Sequence, residues 1–327
     1  MSSGLSADSS PVRIAVVGVG AFGKNHARNL EAIPAADLIA VVDPDRERCQ
    51  DVAAEYGTRA LFDYRELIGQ VDAAVVAAPT AFHTEIGVAL LEAGVDVLIE
   101  KPLAPDLDSA DRLIAAAEAG GRILQVGHLE RFNPIVQEAF RIAELPLFFE
   151  VHRLSTFSPR SLDVDVLLDL MIHDLDILLS LVHSEIDRIE ASGIPILSEQ
   201  PDIASVRIVF ENGCVANLTA SRISTEKIRK LRFFQPRQYV SIDYARKDGV
   251  KIGLDETGRL QYEQLKPDPA EPLRAELEAF LESVRTRRPP LVDGSAGRRA
   301  LAAALRIRAE MERHAALVQA TVAAHQK

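Results

Sequence analysis

The chain has 327 residues, with 37 Lys and Arg against 48 Asp and Glu, a formal net charge of −11. This length suits two domains rather than one core, and the acidic balance argues against a nucleic-acid-binding protein or one held by charge on an anionic membrane. No apolar run approaches the ~20 residues of a membrane-spanning helix; the two distant cysteines, Cys49 and Cys214, offer neither a disulfide framework nor metal-ligand spacing and fit a reducing, cytoplasmic setting.

Residues 1–10 are rich in Ser, Gly and Asp and read as a disordered tail. Five short apolar runs follow: Val12 to Val17, Leu38 to Val42, Asp72 to Ala78, Val95 to Ile99 and Arg122 to Val126. Near-continuous Val, Ile and Ala predict strands buried on both faces, as in a parallel sheet. Helical patterns such as Ala81 to Ala93 and Asp108 to Gly120 lie between them. The sum is an α/β doubly wound dinucleotide-binding domain over 11–127.

Period-two alternation takes over afterwards, in FFEVHRLSTF, SVRIVFEN, CVANLTASRIS, KLRFFQ, QYVSIDY and KIGLDE, with turn signals at Asn212-Gly213 and Asp248-Gly249. An α+β domain with a large, mostly antiparallel sheet is expected over 128–272, interrupted by one strongly apolar helix from about Val164 to Val182. Residues 273–327 are expected to be helical and to pack back on the first domain.

Gly18-Val19-Gly20-Ala21-Phe22-Gly23 fits the G-x-G-x-x-G pattern, follows a predicted strand, opens a helix and precedes Asp43 at the end of the next strand. Gly18 permits the tight turn, Gly20 lets the backbone approach a pyrophosphate, and Gly23 lets helix and strand pack closely. Asp43 is placed to accept from a ribose diol and would repel a 2′-phosphate, so NAD is expected over NADP. Asp169 and His173 are four apart and share a helical face, on a helix apolar nearly all round. Such a stripe is either a satisfied structural network or lines a cavity. No metal is expected.

With the glycine loop, Ala78-Pro79-Thr80, His83, Glu100-Lys101-Pro102, the run Asp169 to Asp174 and Pro290 to Gly294 resemble the Gfo/Idh/MocA family of NAD(P)-dependent sugar and cyclitol dehydrogenases, over essentially the whole chain after residue 11. The resemblance implies that Lys101 contacts substrate hydroxyl and nicotinamide ribose, and that Asp169 and His173 complete the catalytic site. Pro79, Thr80, His83 and Glu100 would border the nicotinamide half. The variants G-H-x-E-R-F-N-P from Gly127 and D-V-D-V-x-x-D-L-x-I-H-D from Asp163 look like the branch described as UDP-N-acetylglucosamine 3-dehydrogenase-like. Where many members have glycines, this chain has Asp163-Val164-Asp165-Val166.

Arg131, His152, Arg153 and Arg160 are candidate cations for a substrate phosphate near the pocket mouth. Lys227, Arg229, Lys230 and Arg232 read as a solvated or interface face. The function expected is oxidation of a secondary alcohol of a sugar, a UDP-amino sugar at C3. The alternatives are an inositol or free-sugar dehydrogenase, or a non-catalytic NAD- or sugar-sensing regulator. No nucleic-acid or membrane partner is expected, and a homodimer or homotetramer would form through the second-domain sheet.

Overall fold

A computed structural model describes residues 10–157 and 166–325 of the chain. Its contacts divide the chain into two units, one from the chain up to Leu129 with Glu271–Leu301, the other from Glu130–Ala270 with the chain from Ala302 on.

The first unit is a six-stranded sheet in which every pairing is parallel. Its strands are β1 (Val12–Val17), β2 (Ala36–Val42), β3 (Arg59–Leu61), β4 (Ala73–Val76), β5 (Asp96–Glu100) and β6 (Leu124–Gly127), in spatial order β3-β2-β1-β4-β5-β6. This is the doubly wound order, with its switch point between β1 and β4. The helices between strands are α1 (Ala21–Glu31), α2 (Arg46–Glu55), α3 (His83–Glu92) and α4 (Leu107–Gly120). Local chemistry sets their ends: Asp45 accepts from the Arg48 amide at 3.1 Å, and Asp106 from the Ser109 amide at 2.7 Å. The five expected strands are present; β3 was not anticipated, because three edge residues carry no periodicity.

The second unit holds α5 (Pro134–Ile142), β7 (Phe148–Leu154) and α6 (Ile172–Leu181), then β8 (Ile186–Ile194), β9 (Ile203–Phe210), β10 (Val215–Ser221), β11 (Ile228–Gln235), β12 (Gln238–Asp243), β13 (Asp248–Leu254) and β14 (Leu260–Leu265). These eight strands form one sheet in the order β14-β13-β12-β11-β7-β10-β9-β8. All pairings are antiparallel except β7 with β10. The mostly antiparallel sheet is the one expected; β8 and β14 add to the strands read from sequence. One face packs Phe149, Val151, Leu218, Leu231 and Phe233 against Met171, Leu175 and Leu178 in the core. Among the described residues the expected apolar helix begins as a π-helical stretch, Leu167–Met171, and continues as α6.

The C-terminal segment divides. Helix α7 (Pro272–Thr286) buries Leu277, Phe280 and Leu281 in the first core. Helix α8 (Gly294–His325) buries Ala303, Ala304, Ile307 and Met311 in the second. The expectation that all of 273–327 packs on the first domain therefore differs from what is found, because the apolar stripe beyond Leu301 is buried in the other core.

Both cysteines are wholly buried. Burial pushes the Cys214 thiol up to about 11 and raises Cys49, whose Sγ lies 3.2 Å from the Leu61 carbonyl oxygen. Neither thiol should react with a disulfide reagent at pH 8 in the native protein, and both should react after denaturation. Stoichiometric labelling of the native chain within minutes would contradict this.

Candidate active site

In the first unit the glycine turn closes over the end of β1. Gly18 has φ +86°, and a Cβ there would stand 2.7 Å from the Ala78 amide nitrogen. A Cβ on Gly23 would stand 1.7 Å from the Gly18 carbonyl oxygen. Both positions need glycine for packing alone. Gly20 differs: nothing lies within 4 Å of the Cβ it lacks. It caps α1 with no side-chain hydrogen bond and no acidic residue in the first turn. The opening amides of a helix have no intrahelical acceptor, and here Ala21 and Phe22 lie exposed at that end. An open space in front of unneutralised amides fits a pyrophosphate.

Asp43 is buried at the end of β2. Its Oδ2 accepts from the Val19 amide at 2.9 Å and its Oδ1 from the Asp45 amide at 3.0 Å. Arg48 takes the remaining capacity, with Nη2 2.7 Å from Oδ1 and Nε 3.3 Å from Oδ2. Burial pushes the carboxyl up, but Arg48 and the two amides outweigh it and hold Asp43 below the usual carboxylate range. Arg48 was not singled out from sequence. Its place three residues beyond the helix cap, on the turn facing Asp43, was the available signal.

Lys101 follows β5 at the C-terminal edge of the parallel sheet, and the Lys101–Pro102 peptide is cis. Glu100 is turned inward. Its Oε1 lies 2.7 Å from His26 Nε2, and its Oε2 accepts from the Lys101 amide at 3.2 Å. Burial raises the Glu100 carboxyl, while His26 and Lys101 lower it further than burial lifts it. Glu100 therefore anchors the backbone of Lys101 and is spent on that contact. His83 is likewise buried, its Nε2 2.8 Å from the Ala78 carbonyl oxygen and its Nδ1 3.0 Å from that of Pro102. Burial keeps its pKa below the ordinary value. His83 and Glu100, expected to border the nicotinamide half, have protein partners: His83 ties together the loops that carry Ala78 and Lys101, and Glu100 ties Lys101 to α1. Pro79 and Thr80 start a short 3-10 turn at that edge and are at least partly exposed.

Sequence reasoning missed the groups beneath. His26 is wholly buried on α1, in the stripe Gly23, His26, Ala27 and Leu30 that also faces inward. That helical phase was legible, and a polar residue in it marks a specific partner. Glu276 on α7 is wholly buried with both carboxylate oxygens unpartnered. Burial, reinforced by the charge of Glu100, raises its pKa well above the ordinary carboxyl value.

In the second unit Asp169 lies in the π-helical stretch and His173 in the first turn of α6, both half-buried. In the same unit Arg153 is wholly buried and donates to Asp174 through two nitrogens, Nε to Oδ2 at 2.7 Å and Nη2 to Oδ1 at 2.9 Å. Its Nη1 lies 3.1 Å from Glu130 Oε1, and its guanidinium carbon is 5.3 Å from the Tyr244 ring centre. Burial works against the charge, yet Asp174 and Glu130 hold Arg153 above its ordinary pKa.

Arg153 was a candidate phosphate ligand near the pocket mouth; each of its three nitrogens is instead engaged by a carboxylate. Period-two alternation was the signal, since it puts Arg153 in phase with Phe149 and Val151. His152, in the opposite phase, lies on the other sheet face. Arg131 is also buried, donating to Ser180 Oγ, 3.5 Å from Asp176 Oδ1 and 4.8 Å from the Phe140 ring centre. Arg160 lies outside the described residues, as do Asp163 to Asp165. Arg229 does not share the outer face with Lys230 and Arg232; it opposes Arg153 across β7 and β11.

A family model described as the oxidoreductase family, NAD-binding Rossmann fold, matches residues 12–128, and one described as the GFO/IDH/MocA C-terminal domain matches residues 148–237. The chain belongs to the GFO/IDH/MocA oxidoreductase family. It is 38% identical over 310 residues to UDP-N-acetylglucosamine 3-dehydrogenase of Acidithiobacillus ferrooxidans, covering 92% of this chain and 97% of that protein. A solved structure of that enzyme superposes with a TM-score of 0.88 at 37% identity, over 93% of this chain and 99% of the other. Myo-inositol 2-dehydrogenase of Thermotoga maritima is 28% identical over 313 residues, 89% of this chain and 93% of that protein. A member of this family with these motifs is an oxidoreductase acting on CH–OH groups with a nicotinamide dinucleotide, so the sensing alternative gives way to an enzyme. No helix among the described residues is long and apolar enough to cross a membrane, and no group of three or more metal-ligating side chains occurs among them.

Proposed function

We propose that the chain is an NAD-dependent dehydrogenase that oxidises the C3 hydroxyl of a UDP-linked amino sugar. The near full-length likeness to the A. ferrooxidans enzyme carries the reading. The turn from Gly18 to Gly23, with the amides of Ala21 and Phe22, would hold the pyrophosphate, and Ala78, Pro79 and Thr80 would border the nicotinamide half. Asp43 favours NAD, because its carboxylate would repel a 2′-phosphate. Ribose hydroxyls must compete there with Arg48, since each Asp43 oxygen already has two donors.

The bound nicotinamide supplies the hydride acceptor. His173 takes the hydroxyl proton as general base, imidazole being suited to this near neutrality. Lys101 donates to the developing alkoxide, and Asp169 orients the hydroxyl or the imidazole. Of the proposed phosphate-binding arginines, Arg131 and Arg153 have internal partners, so phosphate recognition must come from elsewhere. If the substrate proved to be inositol or a free sugar, the roles of Lys101, Asp169 and His173 would be kept.

The test is NADH formation by the purified protein with UDP-N-acetylglucosamine, UDP-glucose, myo-inositol and glucose, with NAD and with NADP. Turnover is expected with the UDP-amino sugar and NAD, falling by about 10²–10⁴ in Lys101→Met and His173→Ala. Turnover with inositol alone would move the substrate, and wild-type rates in both variants would remove the assigned roles.

A homodimer or homotetramer is part of the same proposal. One row of paired positions on the outer face of the second sheet, Phe148, Phe234, Tyr239, Ile252 and Tyr262, is apolar or aromatic across five strands. The Phe148 and Phe234 rings meet at a tilt with centroids 5.7 Å apart, as do Phe234 and Tyr239 at 5.0 Å. Such a row on an open face suits a second copy. Light scattering at micromolar concentration that gave only monomer would refute it.

A further inference from the structure

One buried hydrogen bond in the first unit joins two elements that the reaction needs in register. His26 lies on the inner face of α1 and is wholly buried. Its Nε2 stands 2.7 Å from Glu100 Oε1, while its Nδ1 has no hydrogen-bond partner among the described residues. The contact with Glu100 is therefore what offsets the cost of taking the ring out of water. Glu100 ends β5, and its other oxygen accepts from the Lys101 amide at 3.2 Å. A carboxylate only accepts, so the ring donates through Nε2. One side chain thus bridges a helix and the backbone of the next residue, with one oxygen for each.

The neighbouring strand leaves room for this bridge. Gly127 on β6 pairs with Glu100, and a Cβ there would stand 3.0 Å from Glu100 Oε2 and 3.1 Å from its Cα. A side chain at that position would crowd the oxygen that holds Lys101.

The two ends of the bridge belong to different parts of the chemistry. Helix α1 opens with Ala21 and Phe22, whose amides would hold the pyrophosphate, and His26 follows about 7.5 Å beyond Ala21 at the helical rise. At the other end stands Lys101, the proposed donor to the developing alkoxide. His26 and Glu100 are 74 residues apart, so no local spacing sets their distance.

We propose that His26 is a positioning residue: through Glu100 it fixes the backbone of Lys101 relative to α1, and so sets the place of the lysine with respect to the bound dinucleotide. The inference rests on the role given above to Lys101. Without the donor, Glu100 has no reason to stay against α1, and the amide it holds is free to move with it. A displacement of about 1 Å at a reacting group costs on the order of 10²-fold in rate, while the ground-state contacts of the dinucleotide on α1 are untouched.

The experiment compares His26→Leu, which fills the space without a donor, with His26→Gln, whose side-chain amide can donate to Glu100. Turnover is measured with the sugar that the wild type oxidises best, and NADH binding by fluorescence titration. The Leu variant should lose about 10- to 100-fold in kcat with NADH affinity within about threefold of wild type, and the Gln variant should recover most of the loss. Crystal structures of wild type and the Leu variant with NADH read the same effect without turnover: Glu100 and Lys101 should shift away from α1 by about 1 Å. If the Leu variant does not fold, the cycle of His26→Gln and Glu100→Gln replaces it, and the double variant should lose no more than the worse single one. A wild-type kcat in the Leu variant, Glu100 and Lys101 in their wild-type places, a loss that Gln does not relieve, or additive losses in the cycle would each overturn the inference. Lys101→Met is assayed beside them. If it is inactive while His26→Leu turns over normally, the inference alone fails; if it turns over at the wild-type rate, the role of Lys101 fails first.

Discussion

Gly23→Ala should destabilise the first unit by about 3 kcal/mol or more and abolish dinucleotide binding. The added Cβ would stand 1.7 Å from the Gly18 carbonyl oxygen and 2.8 Å from its carbonyl carbon. Both atoms are backbone, in the turn whose shape is the binding site, so no rotamer change relieves the clash. Either α1 moves off the sheet or the turn opens, and both displace the amides that would hold a pyrophosphate. Gly20→Ala is the control for this argument. Nothing stands within 4 Å of its added Cβ, and Gly20 already has φ −63°. Its cost to stability should stay within about 1 kcal/mol, the value of a changed helix cap, while NAD affinity falls because the methyl projects into the open space in front of α1. Thermal unfolding and NADH fluorescence titration of the two variants separate the effects. A Gly23→Ala protein with wild-type melting and affinity would show that the turn is not packed as described.

Removing Arg153 should be the most damaging single change in the second unit. Arg153→Met leaves the buried Asp174 and the half-buried Glu130 without their cation, a loss of about 3–5 kcal/mol by analogy with broken buried ion pairs. Asp174→Leu should cost a similar amount for the reverse reason. The double variant Arg153→Met with Asp174→Leu should recover most of it, since an apolar pair of similar volume avoids the desolvation that the ion pair had to overcome. Urea unfolding of the two single variants and the double variant gives the coupling directly. Additive losses would mean that the two side chains are independent, contrary to their paired hydrogen bonds at 2.7 and 2.9 Å. Activity would be lost alongside stability, because Asp174 immediately follows His173 and its pairing with Arg153 fixes that turn of α6.

Much of the first unit could be read locally. The run VRIAVV became β1 at its expected ends, because a continuous apolar stretch stopped by a glycine has few other outcomes. The glycine turn and Asp43 followed from the same local logic. In the second unit the strands β7, β9, β10, β11, β12 and β13 were announced by alternation. The three-residue β3 and the edge strand β14, whose first five residues are exposed, were not. Alternation also contained the answer for Arg153, which shares the buried phase of β7, and it placed Arg229 in the same phase of β11.

What the sequence determined alone is therefore the kind of most of the longer elements, the nucleotide turn with its acidic neighbour, and the residue types available for catalysis. Spacing along the chain suffices for these, because backbone period and glycine sterics act over a few residues. Which charges are spent was decided only by the tertiary structure. Arg131 and Arg153 looked like candidate ligands until Asp176, Asp174 and Glu130 were found against them. Glu100 and His83 were expected beside the nicotinamide half, and the structure gives them partners in α1 and in two loop carbonyls. A buried charge survives only with a partner, and the partner comes from a segment that no local pattern names.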